Sequence, residues 1–223
     1  MIKLVIFGSG DHAKVIFSEI IKQKNKYEFI GFVDDFKKKG DFVINYMGKK
    51  YCVIWNINNT IKRKNDFNGI IANGLNDKRE KIFKEIISIN KKFNFETVIS
   101  KNSFINLKVV IGNGTFIASD VLINFNSRIG NHCIINSSCS IDHDNFFKDF
   151  SSVGPGVITG GNVKLGKNSF IGIGSVVKNK INIMNNTIVG AMSLVNKNCD
   201  KNSIYFDVPA KKIKEKKSSL RYL

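Results

Sequence analysis

The chain has 223 residues, 43% of them hydrophobic, and a formal net charge of +17 at pH 7. That length and apolar content support a substantial core in one large domain or two small ones, which excludes disorder and fibrous architectures. The lysines are scattered and the aromatics form no nucleic-acid-binding motif, so the charge points to compositional bias and a field that favours small polyanionic ligands, with no nucleic-acid partner expected.

The segment Lys3-Leu4-Val5-Ile6-Phe7 reads as a buried strand. It runs straight into Gly8-Ser9-Gly10 without a small-residue cleavage site, so a secretory signal is not expected and a cytoplasmic location is. No stretch approaches the roughly 18–20 continuous apolar residues of a membrane span. The turn Gly8-Ser9-Gly10-Asp11-His12-Ala13 leads into an amphipathic run, Lys14 to Lys24, and a second strand, Glu28 to Val33, ends at Asp34-Asp35. Farther on, Gly69 to Asn73 reads as a strand and Asp77 to Asn90 as a helix. This alternation predicts a small parallel βαβ domain over residues 1–98. Gly8-x-Gly10-x-x-Ala13 after a strand, with the acid Asp34 about 20 residues on, matches a nucleotide-binding turn. A Rossmann dehydrogenase needs a larger α/β domain, so the expectation is a truncated Rossmann-like domain holding a nucleotide-linked ligand. A tight turn with no ligand is the alternative.

From Ile99 a six-residue period takes over. Stepping by six from Ile99 to Val195, every residue but Thr159 is bulky and apolar. The next position is often Gly, as at Gly112, Gly130, Gly154, Gly160, Gly166, Gly172 and Gly190. Four positions after the apolar residue come small or β-branched ones, among them Thr115, Ser127, Ser169 and Thr187, and Cys133, Cys139 and Cys199 share that phase. A period of six fits neither an α-helix nor a heptad. It fits a short strand plus a turn, with one apolar side chain inward per strand and Gly relieving the backbone at the bend. Three such units close an 18-residue coil, and coils stack at about 4.8 Å. A β-sandwich would not keep phase for so long. The prediction is a parallel β-helix over residues 99–207 with a C-terminal tail at 208–223, in which Lys211 to Lys217 forms a short solvated helix. With no metal-type spacing and no CxxC, the four cysteines are expected to be reduced, and no metal site is expected.

Three histidines are candidates for a base near neutral pH. His12 lies in the glycine turn, and His132, in Gly130-Asn131-His132-Cys133, reads as a solvent-facing corner. His143 follows Ile141 by two residues and is followed by Asp144, a carboxylate able to fix its tautomer. One 18-residue coil beyond His143 is Gly161, which should stack beside it with an open N–H suited to an oxyanion.

The hexapeptide pattern from Ile99 to about Lys201 resembles the hexapeptide-repeat acyltransferases. Five further pieces extend the resemblance over nearly the whole chain: Gly8-Ser9-Gly10-Asp11-His12, Val33-Asp34-Asp35, Gly74-Leu75-Asn76-Asp77-Lys78-Arg79, Ser140-Ile141-Asp142-His143-Asp144 with Gly160-Gly161-Asn162, and Val208-Pro209-Ala210-Lys211. In that order they resemble the sugar acetyltransferases typified by sialic acid O-acetyltransferases and the UDP-4-amino-sugar N-acetyltransferases of the bacillosamine pathway. The resemblance implies a small Rossmann-like α/β domain followed by a left-handed β-helix, assembled as a homotrimer with CoA between neighbouring helices. It implies an acetyl-CoA-dependent N-acetyltransferase acting on a nucleotide-linked amino sugar, a 4-amino-4,6-dideoxy sugar, in surface-glycan biosynthesis. Sialic acid O-acetylation is one alternative, and a non-catalytic nucleotide-sugar-binding β-helix protein is another.

Carried over onto this chain, the resemblance makes His143 the base, supported by Asp144. Gly10, Asp11, His12, Asp34, Asp35 and Gly74 bind the nucleotide-sugar, and Ser152, Gly161, Ile173 and Ala191 meet acetyl-CoA. The chain departs from the pattern where Ser152 replaces a second family histidine, where Lys148 replaces a corner Gly, and where Asp207 replaces the Gly before Val208-Pro209-Ala210.

Overall fold

The computed structural model describes residues 1–62 and 66–216, in two compact units. The first comprises Met1–Gly74 and Lys78–Val98; the second comprises Leu75–Asp77 and everything from Ile99.

In the first unit the chain order is β1 (Ile2–Phe7), α1 (Asp11–Lys22), β2 (Tyr27–Val33), β3 (Phe42–Tyr46), β4 (Lys49–Trp55), α2 (Ile57–Ile61), β5 (Asn68–Ile71) and α3 (Asn76–Ile89). The sheet order is β3-β4-β2-β1-β5. β1 pairs in parallel with both β2 and β5, as the βαβ reading requires. The antiparallel pair β3–β4 is an addition that the sequence did not announce. Its two-residue loop, Met47-Gly48, has φ of 50° and 76°. Positive φ at both positions is the mark of a type I′ turn, whose twist matches that of the flanking strands. The core under the sheet is aliphatic and aromatic, with Val5, Phe7, Val33, Ile71, Ile86 and Phe93 buried together.

In the second unit, seventeen two-residue strands, β6 (Val98–Ile99) to β22 (Leu194–Val195), follow at six-residue steps. As far as β19 (Val176–Val177), each pairs in parallel with the strand eighteen residues on, as in Leu122↔Ser140 and Ser140↔Ile158, so three sheets wind around one core. From Ile117 onward the stepped residues point inward and are almost fully buried, Thr159 included, whereas Ile105 in the first coil is 37% exposed. The small residues four positions on close a polar ladder inside the coil. Thr115 Oγ1 donates to Gly130 O at 2.8 Å and accepts from Cys133 N at 3.0 Å. Ser127, Ser169 and Ser175 repeat both bonds. Cys133 and Cys139 put thiols in the same role, donating to Lys148 O and Gly154 O. Burial without a positive neighbour pushes the Cys139 thiol up to about 12, so it stays protonated.

The coil glycines serve a purpose other than the expected one. A Cβ on Gly112 would fall 2.6 Å from Gly130 C, and one on Gly166 would fall 2.4 Å from Asn185 N. Close approach of the next coil, not backbone freedom, excludes a side chain there. The left-handed corner conformation falls two residues later, at Asp144 and Asn162 among others, with φ of 56° and 61°.

Two expectations are corrected here. His132 does not face solvent: it is 3% exposed, and its ring stacks on Phe150, eighteen residues on, at 5.0 Å and 8°. Lys211 to Lys217 is not a helix. Lys211–Glu215 is strand β24, antiparallel to β23 (Ser203–Phe206), which itself extends one coil sheet; Lys217 lies outside the described residues.

Phe147 fills the coil axis with no exposure, whereas Phe104, at an outward position, is 70% exposed. In urea titration, Phe147→Ala is expected to cost about 3–5 kcal/mol, whereas Phe36→Ala, at a ring that is 100% exposed in the N-terminal unit, should cost less than about 0.5 kcal/mol.

Candidate active site

His143 stands in the turn that follows the strand Ser140–Ile141, and Asp144 occupies the left-handed corner beside it. Nδ1 of His143 is 2.7 Å from Asp144 Oδ2. The carboxylate is held from the preceding coil, because Asn126 Nδ2 donates to Asp144 Oδ1 at 2.6 Å. The backbone N of His143 donates to Asp142 Oδ1, which also accepts from Asn124. The turn is thus fastened at three points before any ligand arrives. With Nδ1–H given to the carboxylate, Nε2 carries the lone pair of a base.

The hydrogen bond to Asp144 raises the His143 pKa above its ordinary value. Partial loss of hydration opposes this, and the Asp142 and Asp144 charges add to it. Asp144 is lowered in turn, first by the Asn126 hydrogen bond and then by that of His143. Both side chains remain open, at 50% and 37% exposure, so the base can be reached.

Gly161 lies against the reactive edge of the ring. A Cβ built there would sit 2.5 Å from both Cε1 and Nε2 of His143. Its carbonyl accepts from Lys180 N, but its N–H donates to no described residue. An unspent amide beside a base is what an oxyanion requires.

Ile173 and Ala191 line a second cavity of about 480 Å³ in the coil unit, together with Gly172, Gly190, Phe206 and Lys214. Their N–H groups also donate to no described residue. The Phe206 ring covers Gly190 so closely that a Cβ there would fall 1.8 Å from it. Neither Phe206 nor Lys214 stood out in the sequence, and neither His143 nor Gly161 lines this cavity. Ser152 does not fit the role expected of it. Its hydroxyl is 2% exposed and donates to Asn76 Oδ1 at 2.7 Å, while Asn76 Nδ2 donates to Ser169 O. A buried, committed hydroxyl has little left for an acyl donor.

In the N-terminal unit a cavity of about 350 Å³ brings Asp34 and Asp35 together with Gly8, Phe36, Asn73, Lys78, Lys81 and Glu85. Gly8, at φ 118°, could not carry a Cβ, which would meet Ala72 O at 2.7 Å. Gly10 differs: a Cβ there would meet nothing within 4 Å, so packing does not explain it. Gly10, Asp11, His12 and Gly74 lie outside the cavity lining. Asp11 faces solvent and pairs with Lys14. Burial, aided by the Arg79 charge, holds His12 down to about 4, so it is neutral at working pH. Arg79, fully buried, donates to Asn73 O and fixes the chain leaving β5. Among the described residues no group of His, Cys, Asp and Glu could hold a metal ion, and no helix is long and apolar enough to cross a membrane.

Removing the acceptor of Nδ1 tests the pair directly. In Asp144→Asn the His143 pKa is expected to fall toward its ordinary value, read by NMR titration of the ring. An unchanged titration would mean that the pairing does not persist in solution.

Residues 3–86 match the family described as the PglD N-terminal domain. Over its whole length the chain is similar to solved acetyltransferases. A mutant of GDP-perosamine N-acetyltransferase from Caulobacter crescentus, in complex with CoA and GDP-perosamine, matches with a TM-score of 0.84 at 24% identity, covering 96% of this chain and 97% of that one. The acetyltransferase domain of PglB from Neisseria gonorrhoeae matches with 0.84 at 23%, covering 95% and 99%. WeeI from Acinetobacter baumannii matches with 0.83 at 22%, covering 96% and 100%. Residues 3–86 therefore form a PglD-type N-terminal domain, and over 96% of its length the chain shares the fold of the Caulobacter structure, a small α/β domain followed by a left-handed β-helix.

Proposed function

We propose that the protein is an acetyl-CoA-dependent N-acetyltransferase whose acceptor is a nucleotide-linked 4-amino-4,6-dideoxy sugar. The observation that carries this reading is the His143–Asp144 pair set against the unspent amide of Gly161. The similar Caulobacter protein, an N-acetyltransferase in complex with CoA and GDP-perosamine, supports the donor and the acceptor class.

The sugar amine attacks the thioester carbonyl, and a C–N bond forms as the C=O electrons move onto oxygen. Gly161 N–H receives the developing negative charge. His143 Nε2 takes the proton lost by the amine, and Asp144 stabilises the imidazolium. Collapse of the intermediate breaks the C–S bond, and the thiolate of CoA leaves with the proton that His143 returns. Ile173 and Ala191, with their open amides and the stripe of glycines beside them, suit the amide-rich pantetheine arm.

A homotrimer belongs to this reading. The sheet whose outward residues are Phe104, Leu122, Ser140, Ile158, Val176 and Leu194 is apolar at all but one rung. Ile158 and Val176 are 49% and 40% exposed on it. Ile173 lies in a turn entering this sheet and His143 in a turn leaving it, so a second copy packed on this face borders both.

His143→Ala is expected to lower acetyl transfer by about 10²–10⁴-fold with acetyl-CoA binding retained, measured as CoA thiol release; undiminished turnover would sink the assignment. Because the base must be unprotonated, the rate should fall as pH drops through the raised His143 pKa, and Asp144→Asn should move that limb to lower pH. In light scattering, the double change Ile158→Asp and Val176→Asp is expected to convert trimers to monomers; a wild-type monomer would remove the trimer from the reading.

A further inference from the structure

The N-terminal cavity holds more chemistry than a turn around phosphates needs. Asp34 is spent on the fold: Oδ2 accepts from Ser9 Oγ at 2.6 Å and Oδ1 from Phe36 N at 2.9 Å. Asp35 gives Oδ1 to Ile57 N at 2.8 Å, while its Oδ2 accepts from no described residue. Glu85, on α3, lines the same cavity and has no hydrogen-bonding side-chain partner among the described residues. Lys81 and Lys78 lie one and two helical turns before it on α3 and line the cavity too. The Phe36 ring is 100% exposed although it borders the cavity, so an aromatic face stands at the rim with nothing against it.

These groups divide into acceptors, cations and a stacking surface. We propose that the acceptor's nucleotide is guanosine diphosphate, with Glu85 beside Asp35 reading the guanine edge, Lys78 and Lys81 meeting the diphosphate, and Phe36 stacking on the base. The inference rests on the acceptor reading above and adds the identity of the base.

Hydrogen-bond direction carries the choice. Guanine presents N1–H and an amino N–H side by side, and the two oxygens of one carboxylate accept both. Uracil presents one N–H between two carbonyls, so a carboxylate there meets acceptors on both sides. Adenine and cytosine each set a ring-nitrogen acceptor next to their amino group. A site built around carboxylate acceptors therefore rejects all three on the same ground, an acceptor forced against an acceptor. Partial burial, and then the Asp35 charge, already hold the Glu85 carboxyl above its ordinary value, with Lys81 opposing them. Two N–H donors are the partner that such a strained carboxylate lacks.

The test is calorimetric titration of the full chain with GDP, UDP, ADP and CDP. GDP is expected to bind about tenfold or more tightly than the other three. Glu85→Gln, at an exposed position, should keep the melting temperature. Its amide offers one acceptor and one donor, so the preference for GDP over UDP should vanish or reverse. Lys81→Met should weaken all four diphosphates alike and leave the order of bases intact. UDP binding as tightly as GDP, or a GDP preference that survives Glu85→Gln, would overturn the inference and leave the acceptor reading standing. No binding of any nucleoside diphosphate would overturn the acceptor reading itself.

Discussion

Between the first coil and the last, each strand of the β-helix finds its backbone partners in the strands eighteen residues before and after it, so no coil can close without its neighbours. Strands of two residues have almost no stability alone. Repetition makes them stable. The inward column of branched side chains excludes water from the axis, and the hydroxyl and thiol ladder four positions on gives the corner backbone its partners inside that dry core. The interior accepts the hydroxyls of Thr115, Ser127, Ser169 and Ser175 because each both donates and accepts at a fixed offset. A single chemical rule, repeated, sets the position of every corner.

The candidate active site is a local variation on that rule. Asn106 donates to Asn124, and Asn124 to Asp142, each eighteen residues on. The parallel step from Asn126 reaches Asp144, and there the ladder ends in a carboxylate with one oxygen left for His143. Such an amide-to-acid ladder serves two purposes. It orients the base without a large desolvation cost, because both partners remain open to water. It also leaves the pair open to a ligand, whose arrival would exclude water and let the same charges interact in a lower dielectric.

The coil, its phase, and the placing of Gly161 beside His143 were legible because all three are consequences of one period. What the period did not carry was harder to read. The stacking of Phe150 on His132 follows from the eighteen-residue step, but a lone histidine in a Gly-Asn-His turn looks exposed when its neighbour one coil on is ignored. The hairpin β3–β4 closes on Met47-Gly48 without the usual Asn-Gly signal, so turn chemistry did not mark it. The lysines of β24 alternate along an edge strand, where charge is favoured, and on composition alone they pass for a solvated helix. Ser152 holds the place of a family histidine, yet its partner is Asn76, far away in sequence, which no spacing rule could reveal.

The acids Asp34 and Asp35 show why the residues of a motif are not always the residues that read a ligand. Their pairing after β2 drew attention as a binding feature, yet Asp34 uses both oxygens to pin the glycine turn and the chain after β2, and Asp35 uses one to hold the start of α2. They shape the cavity. The side chains with unspent capacity are on α3, spaced as a helix spaces them and carrying no motif of their own. This division has a physical rationale. The proposed catalysis needs His143 and Gly161 held to within a fraction of an ångström, which a repeating coil provides and a surface helix does not. The proposed base recognition needs only that donors meet acceptors, and a helix face can exchange Glu for another side chain without disturbing the turn after β1. On that proposal, specificity is free to change on α3 while the chemistry stays fixed on the coil.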